Sequence, residues 1–414
     1  MKVVHLNTFD IKGGAARAAH RLHQGLIEVG VDSEMFVRTK ETEHPSVIRY
    51  ELATGLADRL RRLWRREKIS RAYRPYKTTR PDGLDLFSDD RSEYGSHVVD
   101  ECPSADVYNF HWISAFVDLP SFLTQTQRPV VWTLHDMNAF TGGCHYNVGC
   151  SKYQSRCGAC PQLGSNQNED LARDIWDRKR RLYEQAVKED RLHIVTPSTW
   201  LADEAKRSTL LGNAPITVIP NGLDTDTYQP RDTTGMKHTL SIPSDHSVVL
   251  FVASSTRVKR KGFSYLKQAL DTVEAPVTLV SIGAHNPEFS PSVSHIHLGS
   301  IESPLLMSCF YSLADIFAIP SLQDNLPNTV LESMACGTPV LAFDVGGISD
   351  MVRPGKTGWL VEKEDTDALR ASIETAVSDP STLDAYQRTC RNTTVNEYST
   401  NVQTEKYLSL YESI

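Results

Sequence analysis

The chain has 414 residues, of which 40% are hydrophobic and 23% charged, and carries a formal net charge of −7. That length exceeds what one ordinary core organises and points to two domains, while the composition is that of a soluble globular chain and the net acidity excludes nucleic acid as the main partner. No apolar run approaches the roughly 18 residues needed to cross a bilayer, and His5 and Asn7 interrupt the start where a signal peptide is apolar, so a cytoplasmic protein is expected.

Residues 2–6 read as a buried strand leading into Asp10-Ile11-Lys12-Gly13-Gly14, after which residues 15–26 have helical periodicity and begin with small side chains. Strand, glycine pair and helix make a loop suited to a phosphate or another ligand. The spacing is not that of a dinucleotide fingerprint, and close packing of helix on strand also calls for small residues. Residues 34–37 form a second strand. Residues 56–80 differ in kind: Arg59, Arg61, Arg62, Arg65, Arg66, Lys68, Arg71, Arg74, Lys77 and Arg80 stand against Asp58 and Glu67, with Leu60, Leu63, Trp64, Ile69, Ala72 and Tyr73 at helical spacing. A helix of this pattern lies on an anionic membrane, or packs on the body with a solvated charged face. The pattern leaves both open.

Residues 107–110 form a strand ending at His111, and residues 129–134 one ending at His135-Asp136. A histidine at a strand end is either a satisfied structural residue or a functional one. Directly afterwards Cys144, Cys150, Cys157 and Cys160 fall at spacings of five, six and two intervening residues, with His145 beside the first. In a reducing compartment four such thiolates suit a structural Zn²⁺, with reduced buried cysteines or one disulfide as the alternatives. Strands at 193–197 and 216–220 close the first half, and the domain boundary is expected within 221–245, where Asp, Thr, Gly and Pro replace apolar periodicity.

A strand at 247–253 opens the second half. The loop SSTRVKRKG follows it, ahead of a helix at 263–270, and places Arg260 and Lys261 where they can counter a diphosphate. Further strands fall at 277–283 and 295–298. From residue 316 the pattern is strand, loop, helix, strand: an apolar run to Ile319, then Pro320-Ser321, polar Gln323-Asp324-Asn325, a helix with Pro327 in its first turn, a stop at Gly337 and Pro339, a second apolar run at 340–343, and Gly346-Gly347. Two parallel strands with a crossover helix are implied. Asp324 sits at the carboxyl end of the strand, where open α/β sheets bind ligands, and Glu332 lies eight residues on within the helix. At about 1.5 Å rise per residue Glu332 stands roughly 6 to 8 Å from the helix N-terminus. One acid suits a sugar and the other a ribose, and the helix N-terminus suits the phosphates that join them. Residues 393–414 close the chain with helical spacing.

The stretch PSLQDNLPNTVLESMACGTPV resembles the acid, seven residues, acid signature of the retaining glycosyltransferases of family 4, with Asp324 where the family more often has glutamate. The resemblance covers nearly the whole chain and implies an α/β GT-B fold, two Rossmann-like domains facing each other across a cleft. It implies an acceptor domain over 1–225, holding the basic segment 56–80 and a Cys-rich loop 141–165, a nucleotide-sugar-binding domain over 240–392, and a helix over 393–414 crossing back to the first domain. The implied reaction moves a sugar with retention from a nucleoside diphosphate sugar to a hydroxyl of a sugar or lipid-linked glycan, in bacterial surface polysaccharide or glycolipid synthesis at the cytoplasmic membrane face, with no cofactor needed for the chemistry. In that scheme Glu332 holds the ribose, Asp324 and the following Asn325, Leu326, Pro327, Asn328 and Thr329 hold the donor sugar, and Arg260 and Lys261 stabilise the departing diphosphate. Arg257 or Arg260 has to compensate for Ser255, which occupies the position of the family's usual arginine. His135 contacts the donor sugar, and Gly13 and Gly14 line the cleft. A nucleotide-sugar-binding protein without turnover is the alternative. A dinucleotide-dependent dehydrogenase or epimerase needs a GxGxxG turn that DIKGGAARAA does not supply.

Overall fold

The computed structural model describes residues 1–290 and 292–414. They form two compact units, one of Met1–Pro220 with Thr404–Ile414 and the other of Asn221–Gln403. In the first unit seven parallel strands, β1 (Lys2–Phe9), β2 (Asp32–Thr39), β3 (Val47–Arg49), β4 (Val107–Phe110), β5 (Val130–Thr133), β6 (Leu192–Thr196) and β7 (Ile216–Val218), lie in the order β3-β2-β1-β4-β5-β6-β7. The direction of winding reverses between β1 and β4, which puts the ligand-facing loops of a doubly wound sheet after those two strands. β1 and β5 are buried almost throughout, as strands covered by helices on both faces must be. The Gly14–Glu28 helix follows β1 and packs Ala16, Ala19, Leu22 and Leu26 against the sheet. Gly13 ahead of it has φ +92, a conformation that disfavours any side chain.

The second unit repeats the plan with six parallel strands, β8 (Ser247–Ser255), β9 (Val277–Ala284), β10 (Ser294–His297), β11 (Ile316–Ile319), β12 (Val340–Phe343) and β13 (Gly358–Val361), in the order β10-β9-β8-β11-β12-β13. Its reversal falls between β8 and β11, so the loops carrying Arg260-Lys261 and Asp324 flank that point. The crossover from β11 to β12 is the Asn328–Ala335 helix, packed on the core through Val330, Leu331, Met334 and Ala335.

Several sequence-based boundaries move. The boundary expected within 221–245 falls just ahead of that stretch, at Pro220–Asn221, because Leu223 bridges to Ser399 and Tyr228 and Ile242 enter the core of the second unit. The closing helical segment is two helices, Pro380–Tyr398 and Thr400–Glu412, broken at the extended Ser399. Only residues 404–414 join the first unit, where Tyr407 and Tyr411 are buried beside Val3, Val107 and Val131. Their hydroxyls meet Thr133 Oγ1 at 2.9 Å and Asn109 Nδ2 at 2.6 Å. Pro327 is the N-cap of its helix rather than a residue of the first turn.

Candidate functional site

In the second unit the acid loop is clamped from two sides. Asp324 is buried, and its Oδ2 receives Lys261 Nζ at 2.5 Å, Ser321 Oγ at 3.2 Å and Arg260 Nη1 at 3.4 Å. Arg260 also donates to Gln323 O at 2.8 Å, and Leu322 N donates back to Arg260 O at 2.7 Å. Burial alone raises the Asp324 pKa. The Lys261 and Arg260 charges and the Lys261 and Ser321 hydrogen bonds outweigh it and hold the carboxyl below its ordinary value. Two glycines make this approach possible. A Cβ on Gly262, whose φ is +67, would stand 1.7 Å from Pro320 O, and one on Gly346, at φ +60, would stand 1.8 Å from Asp324 O. Gly347 N donates to that same Asp324 oxygen at 3.2 Å.

Glu332 is the fifth residue of the Asn328–Ala335 helix and is buried, accepting from Tyr311 OH at 3.1 Å. Tyr311, on the Pro304–Leu313 helix, has its hydroxyl pKa pushed far up by burial and by the Glu332 charge, so it remains a donor. The structure therefore brings Arg260, Lys261, Asp324 and the head of the Glu332 helix to one end of the β8–β11 pair. Asn325, Leu326 and Pro327 are buried, and the Leu326 side chain belongs to the core, which leaves only its backbone for a ligand. Asn328 and Thr329 are half-buried. Arg257 is exposed, with its N–H on Ser255 Oγ at 3.1 Å, and that hydroxyl meets His285 Nδ1 at 3.0 Å.

In the first unit His135 lies two residues past β5, and the turn after it is held rigid. Asp136 accepts from His145 Nδ1 at 2.6 Å, Trp112 Nε1 at 3.1 Å and Asn138 N at 2.8 Å. Burial raises the Asp136 pKa, but the His145 charge and its hydrogen bond dominate and keep the carboxyl ionised. Buried Lys179 donates to the Asn138 and Thr141 carbonyls, and Tyr183 OH donates to Ala139 O. Gly13 and Gly14 line an open groove with Phe9, Trp112, Asp136 and His145. His145 also meets Ser88 Oγ at 2.8 Å through Nε2, so the residue beside Cys144 is part of this network. Asp136, His145 and Tyr311 are the members that sequence reasoning missed. The only written signal was adjacency, of Asp136 to His135 and of His145 to Cys144.

The four clustered cysteines line one cavity, and all eight cysteines of the chain are free. Burial raises the Cys144, Cys157 and Cys160 thiols, the second to about 12. Gly142 N donates to Cys157 Sγ at 3.2 Å, the contact that a thiolate accepts best. Among the described residues no three His, Cys, Asp or Glu side chains are grouped closely enough to hold a metal ion.

Comparison with known proteins adds four findings. Residues 12–227, just over half of the chain, match the family described as Glycosyltransferase Family 4, and residues 246–379 match the description Glycosyl transferases group 1. The alpha-maltose-1-phosphate synthase of Mycobacterium tuberculosis is 29% identical over 226 residues, 48% of this chain and 56% of that protein, so the chain spans about half the length of the first curated relatives it matches. The D-inositol 3-phosphate glycosyltransferase of Thermobispora bispora is 25% identical over 87% of this chain and 80% of its own. Two solved structures align over the whole chain at TM-score 0.68, the sucrose-phosphate synthase of Thermosynechococcus elongatus at 18% identity, covering 99% of that structure, and Anabaena HepE in complex with UDP-glucose at 15%, covering all of it. At those identities the two structures establish a common fold.

Proposed function

We propose, on the premise that the chain belongs to glycosyltransferase family 4 and has the GT-B fold, that it transfers a sugar from a nucleoside diphosphate sugar to an acceptor hydroxyl with retention of anomeric configuration. One observation carries the reading: a buried, ionised Asp324 held by Lys261 and Arg260 beside the N-terminus of the helix that carries Glu332. A diphosphate brings two or more negative charges to cations that otherwise face a single carboxylate. It displaces part of that pairing, and the same cations and the helix N-terminus counter the charge that develops on the leaving group. Glu332, oriented by Tyr311, is assigned the ribose hydroxyls. Asp324 and the backbone from Asn325 to Thr329 are assigned the donor sugar. Arg257 is assigned the outer phosphate, since Ser255 supplies no charge. In the first unit His135 is assigned a donor-sugar hydroxyl, and Gly13-Gly14 a ligand-facing backbone. HepE's complex with UDP-glucose supports a nucleotide-linked hexose as the donor class. Release of nucleoside diphosphate on incubation with donor and acceptor tests the reading, and a protein that protects the donor from breakdown contradicts it.

The reading extends to a membrane-proximal acceptor. The Leu56–Tyr73 helix has no buried residue, and Leu56, Leu60, Leu63 and Trp64 are 75, 59, 56 and 63% exposed on one face, flanked by exposed Arg59, Arg66 and Lys68. An apolar stripe between cations fits an anionic lipid surface. Arg65 is not part of that face: it bonds buried Asp118 at 2.5 Å and Ser92 O at 3.2 Å, tying the helix down. The vesicle test therefore spares Arg65. Reversing Arg59, Arg66 and Lys68 to Glu is expected to weaken sedimentation with phosphatidylglycerol vesicles at least tenfold, at about 1 kcal/mol per charge, with little effect on Tm. Unchanged binding contradicts the membrane contact. No helix among the described residues is long and apolar enough to cross a bilayer.

Structural Zn²⁺ on Cys144, Cys150, Cys157 and Cys160 is proposed on their shared cavity and the N–H donor aimed at Cys157; as placed no three of them are close enough to hold the ion, so binding would have to draw the thiols together. Thiols pushed up by burial are the groups a cation would ionise. About one zinc per chain is expected from full-length protein purified without chelator, with the pair Cys157→Ser and Cys160→Ser releasing it. Well-folded protein without zinc contradicts the assignment.

A further inference from the structure

The loop that carries Arg257, Arg260 and Lys261 is tied down on two sides. On one side Arg260 bonds Gln323 O and Leu322 N bonds Arg260 O, which joins it to the end of β11. On the other it is fastened to the end of β9: Thr256 N donates to Ala284 O at 3.2 Å, Thr256 Oγ1 donates to His285 O at 2.9 Å, and Ser255 Oγ meets His285 Nδ1 at 3.0 Å. The register of β8 on β9 shifts between Val252 and Ser255 before Ser255 comes opposite Ala284, and an irregularity of that kind re-aims the side chains that follow it. His285 has φ +68, a left-handed conformation that costs free energy in any residue with a Cβ and is held where surrounding contacts over-determine it. We propose that His285 is a nucleotide-binding residue whose Nε2–H, together with the Arg257 guanidinium, contacts the terminal phosphate of the nucleoside diphosphate. This role rests on the nucleotide-sugar reading and adds to it a residue from a third strand end.

One hydroxyl is the hub of this arrangement. Ser255 Oγ accepts the Arg257 N–H at 3.1 Å, which leaves it one hydrogen and one lone pair for His285 Nδ1. If the hydroxyl donates, Nδ1 accepts and the neutral imidazole carries its hydrogen on Nε2. If Nδ1–H donates to the hydroxyl, the ring is the Nδ1 tautomer with a bare Nε2, or the cation, which has an Nε2–H as well. An anion beside Nε2 selects the forms that donate there. Ser255 brings no charge of its own, but it turns the imidazole so that Nε2 stands one ring width beyond the hydroxyl that also holds the Arg257 amide. Both side chains are exposed, and among the described residues neither Nε2 nor the Arg257 guanidinium has a hydrogen-bond or ion-pair partner. They are two donors without an acceptor, on the same loop as Arg260 and Lys261, which already share the Asp324 carboxylate. A terminal phosphate supplies acceptor oxygens to both.

Calorimetric titration of the full chain with UDP, GDP, ADP and TDP, and with the matching monophosphates, reads this contact without requiring turnover. His285→Gly is expected to weaken the tightest-binding diphosphate about tenfold, the scale of one hydrogen bond to a charged group, and its monophosphate less than twofold. Glycine adopts φ +68 without strain, so the Tm of that variant is expected to hold or rise slightly. His285→Ala keeps the strain and is expected to lose the same affinity at a lower Tm. Ser255→Ala keeps the ring without its anchor and is expected to lose about threefold. Diphosphate affinity of His285→Gly within twofold of the parent overturns the proposal. So does an equal loss for the monophosphate, which would place the ring at the base or ribose. A Tm for His285→Gly more than about 5 °C below the parent, over 1 kcal/mol in a protein of this size, also overturns it, because the side chain then serves the fold. Selective loss of diphosphate affinity in a protein that consumes no donor supports His285 and contradicts the transferase reading. Turnover by the parent with His285→Gly affinity unchanged does the reverse, so the two fail separately. A parent that binds none of the four diphosphates overturns both.

Discussion

Lys261→Ala is expected to lower the rate of nucleoside diphosphate release about 100-fold, the scale on which one preorganised donor to a developing anion acts. The loss has two sources. The ammonium that sits 2.5 Å from Asp324 is a countercharge for the leaving diphosphate, and it is also what holds the Asp324 carboxyl below its ordinary value against the opposing effect of burial. With Lys261 in place the folded-state pKa of Asp324 is depressed, so its contribution to stability is complete above the unfolded-state value near 4 and is lost only as pH falls through the lower folded value. In Lys261→Ala the burial effect is opposed only by Arg260, at 3.4 Å, and the Ser321 hydrogen bond, and the carboxyl rises. The variant is therefore expected to show the acid limb of its pH–rate profile at higher pH than the parent does. Lys261→Arg keeps the charge and is expected to lose less than tenfold. A Lys261→Ala rate within twofold of the parent contradicts the assignment of Lys261 to the diphosphate.

Gly346→Ala is expected to cost about 3 kcal/mol, roughly 5–10 °C in Tm, and to abolish donor binding in the protein that remains folded. At φ +60 an added Cβ is strained, and it would stand 1.8 Å from Asp324 O, a backbone atom with no rotamer to escape into. Gly355 provides the control, since its φ is +76 and nothing lies within 4 Å of its Cβ. Gly355→Ala carries the backbone strain alone and is expected to cost about 1 kcal/mol with donor binding intact. Calorimetry and a donor titration on the two variants separate strain from displacement of the acid loop. Equal effects of the two variants on donor binding contradict the view that Gly346 sets the position of Asp324.

The part of this arrangement that is local in sequence was readable from it. The turn before Asp324, the stop at Gly337 and the Gly346-Gly347 turn each announce a strand end or a helix end by their own backbone preferences, and β11, the crossover helix and β12 fall where those signals put them. Contacts made across the sheet left no such trace. His5 and His111 are separated by 106 positions, and only the adjacency of β1 and β4 makes them neighbours. His5 showed itself merely as a polar residue in an apolar strand. Arg65 was indistinguishable from the solvated arginines around it, because its partner Asp118 lies 53 residues away, capping the Leu119–Gln125 helix. Polar composition at 221–245 suggested that the domain boundary falls within it, whereas Leu223, Tyr228 and Ile242 are the apolar minority that seats that segment on the second unit. A few well-placed side chains outweighed the average character of the stretch.

The central claim, that this chain consumes a nucleoside diphosphate sugar, is tested most directly by incubating the full-length protein with uridine-, guanosine-, adenosine- and thymidine-diphosphate sugars in turn and following donor and nucleoside diphosphate by mass spectrometry, with and without candidate glycan acceptors. The account predicts release of nucleoside diphosphate from one donor class, accelerated by acceptor, with the α-configuration of an α-linked donor kept in the product. A donor that is bound and protected, with no diphosphate released under any pairing, would contradict it.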